Sequence, residues 1–156
     1  MENDPSIRPQ IAYAQAVEQN YSLSRLPLAA GAGLVAALIG AVLWAVLVAV
    51  TNFKIGYAAI GIGFLVGWTM RTVARGHNPT YGYVGAILAL LGCVVGDVLS
   101  DCVRLAAQVG RPTLDIVSHL TPSLAVELLK AGFQPLDALF YVFAAMAGYR
   151  NAFVKE

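Results

Sequence analysis

Residues 26–53 read LPLAAGAGLVAALIGAVLWAVLVAVTNF, a run without a single charged side chain. A helix rises about 1.5 Å per residue, so about 20 apolar residues cross the roughly 30 Å of hydrocarbon in a bilayer. The run therefore predicts a membrane-spanning helix over about 28–50. It is apolar all round rather than along one stripe, which suits a lipid-embedded helix better than one lying on a soluble core.

The rest of the chain repeats the theme. Ile55–Met70, Gly76–Gly96 and Ala138–Tyr149 are also free of charge. They predict further spans over about 54–71, 82–103 and 135–153. The second is short, but Lys54 and Arg71 at its ends can snorkel to the interfaces. The fourth works if Pro135 occupies the first helical position, with Asp137 in the first turn and Arg150 in the last. The expected fold is an all-α polytopic membrane bundle of four transmembrane helices plus short amphipathic interfacial helices, with three spans as the alternative. Composition agrees. Hydrophobic residues make up 58 % and charged residues 12 % of the chain, too few charges to cover a small soluble domain. A net charge of +1 leaves no footprint for nucleic acid.

Residues 1–25 form a polar tail, with Glu2, Asp4, Pro5, Arg8, Pro9 and Glu18. A cleavable signal peptide needs a basic start and an early apolar core, so the first span is expected to be an uncleaved anchor. Ile11, Ala14, Val17 and Tyr21 fall at helical spacing and suggest a weakly amphipathic helix that docks on the bundle or a partner. Residues 26–156 then make a single membrane domain. Within it, Arg104–Gln134 is too long for a bare loop. Gly110 and Pro112 should end the third helix, and Thr113 and Thr121-Pro122 should start two short helices over about 113–131, stopped by Gly132. Their apolar faces suit a membrane surface. A re-entrant hairpin is disfavoured, because Asp115, Glu127 and Lys130 would need buried partners.

Basic residues set the orientation. Arg8, Arg25, Arg71, Arg75, Arg150 and Lys155 fall on one side and Lys54, Arg104, Arg111 and Lys130 on the other, which places both termini in the cytoplasm. Trp68, Tyr81, Tyr83 and Tyr149 then gather at the inner interface, and Phe53 and Tyr57 at the outer one.

Small residues recur every four positions. Ala29, Gly33, Ala37, Ala41, Ala45 and Ala49 run along the first span, Ala59, Gly63 and Gly67 along the second, and Gly85, Ala89, Gly92 and Gly96 along the third. The fourth carries Ala144, Gly148 and Ala152. Residues four apart share a helix face, and small side chains let backbones approach closely. These stripes either hold the helices together within one chain or, for the ladder on the first span, receive a second copy.

Asp97 and Asp101 stand out as candidate polar site residues, with Cys93 a turn before them and Arg104 a turn after. An intramembrane carboxylate is costly and points to a proton relay or cation site. The plainer expectation is a structural network in which Arg104 neutralises Asp101 while Asp97 accepts a hydrogen bond from Thr51 or Asn52. Cys93 and Cys102 sit nine apart on one helix and cannot bridge. His77 and His119 lie on opposite sides of the membrane in this topology, so no shared metal site is expected. Residues 31–36 match a dinucleotide fingerprint by letter, but no strand precedes them, so no cofactor is expected. No nucleophile–base set lies within the spans, and the expectation is a protein without catalytic residues.

The run from Lys54 to Gly67, KIGYAAIGIGFLVG, resembles a block in small uncharacterised bacterial inner-membrane proteins, where a basic loop and a helix like Tyr83–Leu99 follow. The helix Asp137–Tyr149 with Gly148-Tyr149 is similar too. The resemblance covers about 26–100 and 135–153. It implies four spans and a bacterial cytoplasmic membrane, and no activity. The residues lead to a non-enzymatic integral membrane protein working by helix packing, as a homo-oligomer or an accessory subunit of a membrane complex. A small transporter or channel using Asp97 is the alternative.

Overall fold

A helix forms within each charge-free run. The computed structural model describes residues 8–51, 56–75 and 78–153. They form α1 (Arg8–Ser24), α2 (Leu26–Thr51), α3 (Tyr57–Ala74), α4 (Thr80–Val109), α5 (Thr113–Ser118), α6 (Pro122–Gly132) and α7 (Pro135–Asn151), with no strand among the described residues. Glu2, Asp4, Pro5, Asn52, Phe53, Lys54, His77 and Lys155, all given roles above, lie outside the described residues.

Three helices are long and apolar enough to cross a membrane: α2 with 26 residues, α3 with 18 and α4 with 30. α3 begins at Tyr57, later than the expected start at 54, and runs on to Ala74. α7 was expected as a fourth span over 135–153. It has 17 residues, about 26 Å at the helical rise, so three helices rather than four meet the requirement.

Local chemistry explains the helix ends. α4 stops where Gly110 turns left-handed at φ 66° and donates its N–H to Ala106 O, a conformation that costs glycine nothing. α3 ends the same way on Arg75 at φ 48°, unusual for a residue with a side chain. Pro112, not the expected Thr113, caps α5. Thr121 Oγ1 accepts from Leu124 N–H at 3.3 Å to cap α6. α7 opens on a reciprocal capping box in which Gln134 N–H donates to Asp137 Oδ2 at 2.8 Å, with Pro135 at the first helical position.

α2, α3, α4 and α7 form a closed ring of contacts: α2 against α4, α4 against α7, α7 against α3, and α3 against α2. α3 and α4 also touch across the middle, and α5 and α6 pack on α4. α1 touches α2 and leaves Ile11, Tyr13 and Val17 at least half exposed. The core between the four helices sets small residues against a few large ones such as Trp44, Met70 and Tyr81. Gly33, Ala37, Ala41 and Ala45 of α2 are buried. A Cβ added at Gly92 would lie 3.1 Å from Ala37 Cβ, and one at Gly96 would lie 2.7 Å from the Trp44 ring. The ladder on α2 is thus consumed inside the chain, where it meets Gly92 and Gly96 of α4. It does not present the face for a second copy that its spacing also allowed.

The tightest approach is at α7. A Cβ at Gly148 would lie 2.7 Å from Gly85 O and 3.0 Å from Ala89 Cβ. One at Gly67 would lie 2.9 Å from Gly148 O, and one at Gly63 would collide with the Ala144 carbonyl. Ala144 and Gly148 therefore wedge α7 between α3 and α4 at backbone contact, the geometry that small-xxx-small spacing permits.

Candidate functional site

Helical spacing puts Cys93, Asp97, Ser100, Asp101 and Arg104 on neighbouring turns of α4. Asp97 and Ser100 are fully buried and Asp101 is 8 % exposed. Ser100 Oγ donates to Gly96 O of its own helix at 2.7 Å. Cys93 Sγ donates to Ala59 O of α3 at 3.7 Å. The remaining three residues reach outward from α4 in different directions.

Asp97 meets α7. Tyr141 donates its hydroxyl to Asp97 Oδ2, and its ring stands edge-on to Phe133 with centroids 6.1 Å apart. Of the two expected donors, Thr51 Oγ1 donates to Leu47 O of its own helix at 2.7 Å, and Asn52 lies outside the described residues. Tyr141 was not singled out in the sequence. The available signal was a hydroxyl set inside the charge-free stretch 138–149, with a carboxylate inside the apolar part of α4 to receive it.

Asp101 meets α6. A Cβ added at Gly132 would collide with the Asp101 carboxylate, so the carboxylate lies against the Gly132 backbone in space that only glycine leaves open. Arg104 was expected to neutralise Asp101. It is exposed instead, and no ion pair of its guanidinium is found among the described residues. Asp101 and Arg104 border a recess of about 200 Å³ between α4 and α6, with Gln108, Leu128 and Gly132 among its walls.

Other polar groups serve local ends. Arg111 pairs with Asp115 at 3.3 Å across one turn, and His119 Nδ1 lies 2.9 Å from Asp115 O. Cys93 and Cys102 are both buried and free. Among the described residues no three His, Cys, Asp or Glu side chains converge as metal ligands. Chemically, the Asp97–Tyr141 pair can hold a proton between two helices, and the Asp101–Arg104 recess offers opposite charges side by side. A second feature is apolar. An apolar groove of about 480 Å³ between α2 and α3 is lined by Leu43, Leu47, Gly61, Phe64 and Leu65, among others.

No protein-family model, curated protein or solved structure matches this chain.

Proposed function

We propose that the chain is a non-enzymatic integral membrane protein that crosses the bilayer four times and works by assembly, as a homo-oligomer or an accessory subunit of a membrane complex. On this proposal it resides in a bacterial cytoplasmic membrane with both termini inside, and its partners are lipid and other membrane helices. The inclusion of α7 as a span is supported by its two faces. Ala144 and Gly148 pack inward, while Leu136, Leu139, Val142 and Met146 lie exposed on a surface with no charge to keep it in water.

One observation carries the assembly proposal. A Cβ at Gly61 would meet nothing within 4 Å, yet Gly61 sits mid-helix on the wall of the α2–α3 groove. Glycine there costs about 1 kcal/mol of helix propensity relative to alanine, with no contact inside the chain to explain it. A groove floored by an outward glycine admits the ridge of another apolar helix at close range. Gly61→Leu tests this. The native mass of the purified protein in mild detergent should fall from oligomer to monomer, with the thermal midpoint kept. A monomeric wild type, or an unchanged mass in the variant, overturns the proposal.

The second candidate is a small transporter or channel, favoured by the buried Asp97 and its contact with Tyr141 between α4 and α7. Ion or proton flux into proteoliposomes that collapses in Asp97→Asn would put it first.

A further inference from the structure

Positive charge gathers at one end of the bundle. Arg71 lies in the last turn of α3, Arg75 caps that helix, and Arg150 lies in the last turn of α7. Asn151 packs beside Gly67, so Arg150 and Arg71 stand within about one turn of each other in depth. All three arginines are exposed, and no ion pair of theirs is found among the described residues. Apart from Glu18 on α1, every described acid lies elsewhere. Asp97 and Asp101 are in the far half of α4, and Asp115, Glu127 and Asp137 belong to α5, α6 and the first turn of α7. That far end is mixed in sign, with Arg111 paired to Asp115. Among the described residues of α2 to α7, the near end is positive alone.

The outward face of α3 indicates what the charges meet. Phe64, Trp68 and Arg71 are four and three residues apart, so they fall within about 60° of one another around the helix. Arg75 follows one turn further on. All four are exposed. Over about 16 Å the face thus changes from phenyl to indole to guanidinium. That is the order met along a phospholipid, from acyl chain through the interface to the phosphate. Indole rings favour the interfacial layer, and basic side chains the anionic groups beyond it. A soluble polyanion would use the arginines but not the aromatic strip that leads up to them.

We infer that this face of α3, with Arg150 of α7 beside it, is a docking surface for anionic phospholipid. The phosphates meet the arginines, and the upper part of an acyl chain lies on Trp68 and Phe64. A guanidinium matches phosphate oxygens in a bidentate fork. A zwitterionic headgroup brings its own cation, which the neighbouring arginines repel, so a net negative lipid is favoured. The inference rests on the proposal that the chain crosses the membrane and names the lipid it selects.

Trp68 supplies the readout. The chain has two tryptophans, of which Trp68 is 55 % exposed and Trp44 only 3 %, so a quencher carried by lipid reaches Trp68 first. The full chain is reconstituted in phosphatidylcholine liposomes. A fixed minor fraction of the lipid is either phosphatidylglycerol or phosphatidylcholine, brominated near the carboxyl end of its acyl chain. The expected result is stronger quenching by the brominated phosphatidylglycerol. The relative affinity should be about fivefold or more, the effect of one basic residue at an anionic surface. Brominated phosphatidylserine should behave like phosphatidylglycerol, and Trp68→Phe should remove the lipid-dependent quenching. Arg71→Gln combined with Arg75→Gln should make the two lipids equal, whereas the corresponding lysine pair should keep the preference. These positions are exposed, so helicity and thermal midpoint should stay at wild-type values. Raising the salt to about 1 M should shrink the preference of the unaltered chain, a measurement that needs no variant. Equal quenching by the two lipids in the wild type overturns the inference, as does a preference that survives the glutamine pair or the salt. Flotation is measured on the same liposomes: a chain that fails to float refutes the membrane proposal, whereas one that floats with equal quenching refutes this inference alone.

Discussion

Replacing Tyr141 with phenylalanine removes one hydroxyl and leaves the ring, including its edge contact with Phe133, in place. The hydroxyl donates to Asp97, which is fully buried. A hydrogen bond to a charged group contributes about 1.5–3 kcal/mol. At roughly 2–4 °C per kcal/mol for a chain of this length, Tyr141→Phe should lower the thermal midpoint by about 3–12 °C. Asp97→Leu should also destabilise, because it strands the tyrosine hydroxyl in an apolar interior. The double variant replaces both partners with apolar groups and should recover much of the loss, giving a coupling of about 1 kcal/mol or more. Thermal unfolding in mild detergent, followed by tryptophan fluorescence over the four proteins, measures it. Additive losses, or a neutral Tyr141→Phe, would refute the assignment of this pair as the pin between α4 and α7. The double variant has a second use. If it folds and still supports any flux seen for wild type, Asp97 is not in a conduction path.

The glycines separate into two classes with opposite outcomes. Gly148→Ala should cost about 1–3 kcal/mol by overpacking against Gly85 O, whereas Gly31→Ala, with nothing within 4 Å, should be neutral or stabilising by up to about 1 kcal/mol; thermal midpoints decide. Gly132→Ala should displace the Asp101 carboxylate and loosen α6, read as faster amide hydrogen exchange over Pro122–Gly132 with α2 and α3 unchanged. Reporter fusions at Thr80 and Glu156 should report the cytoplasm and one at Gly110 the outside. If Gly110 and Glu156 report the same side, α7 does not cross.

Some of this was legible from the residues and some was not, for physical reasons. Missing charges mark α2, α3 and α4 because hydrocarbon penalises charge at every helical angle, so no periodicity has to be guessed. Gly110, Thr121 and Pro135 marked ends because their backbone preferences act locally. The use of the α2 ladder could not be deduced. A four-residue spacing of small side chains serves an internal neighbour and a second copy equally well, and only the positions of Gly92 and Gly96 decide for α4. The partner of Asp97 was missed for a related reason. Depth along the helices pointed to Thr51, but a threonine near a helix end can satisfy its hydroxyl on the carbonyl four residues back, and here it does. Arg104 and Asp101 have the spacing of a salt bridge, yet the carboxylate lies against Gly132 of another helix while Arg104 is exposed.

The helix lengths impose one more step. α3 and α7, with 18 and 17 residues, are each close to the roughly 30 Å of hydrocarbon. α2 and α4, with 26 and 30, overshoot it by about 9 and 15 Å on the same estimate. On the proposed topology, the surplus of α4 stands clear of the hydrocarbon on the side where α5 and α6 pack against it. On that topology the chain would leave α4 well outside the hydrocarbon at Gly110 and return to its edge to begin α7 at Pro135. α5 and α6 make that descent along the exposed flank of α4, and Gly132 lets α6 close on Asp101 just before the turn into α7. On the proposed topology, the pair α5–α6 is the geometric consequence of joining an overlong helix to a minimal one. Shortening the surplus of α4 by one turn should force α6 off Asp101 before it disturbs the contacts of Gly148 with Gly85 and Ala89.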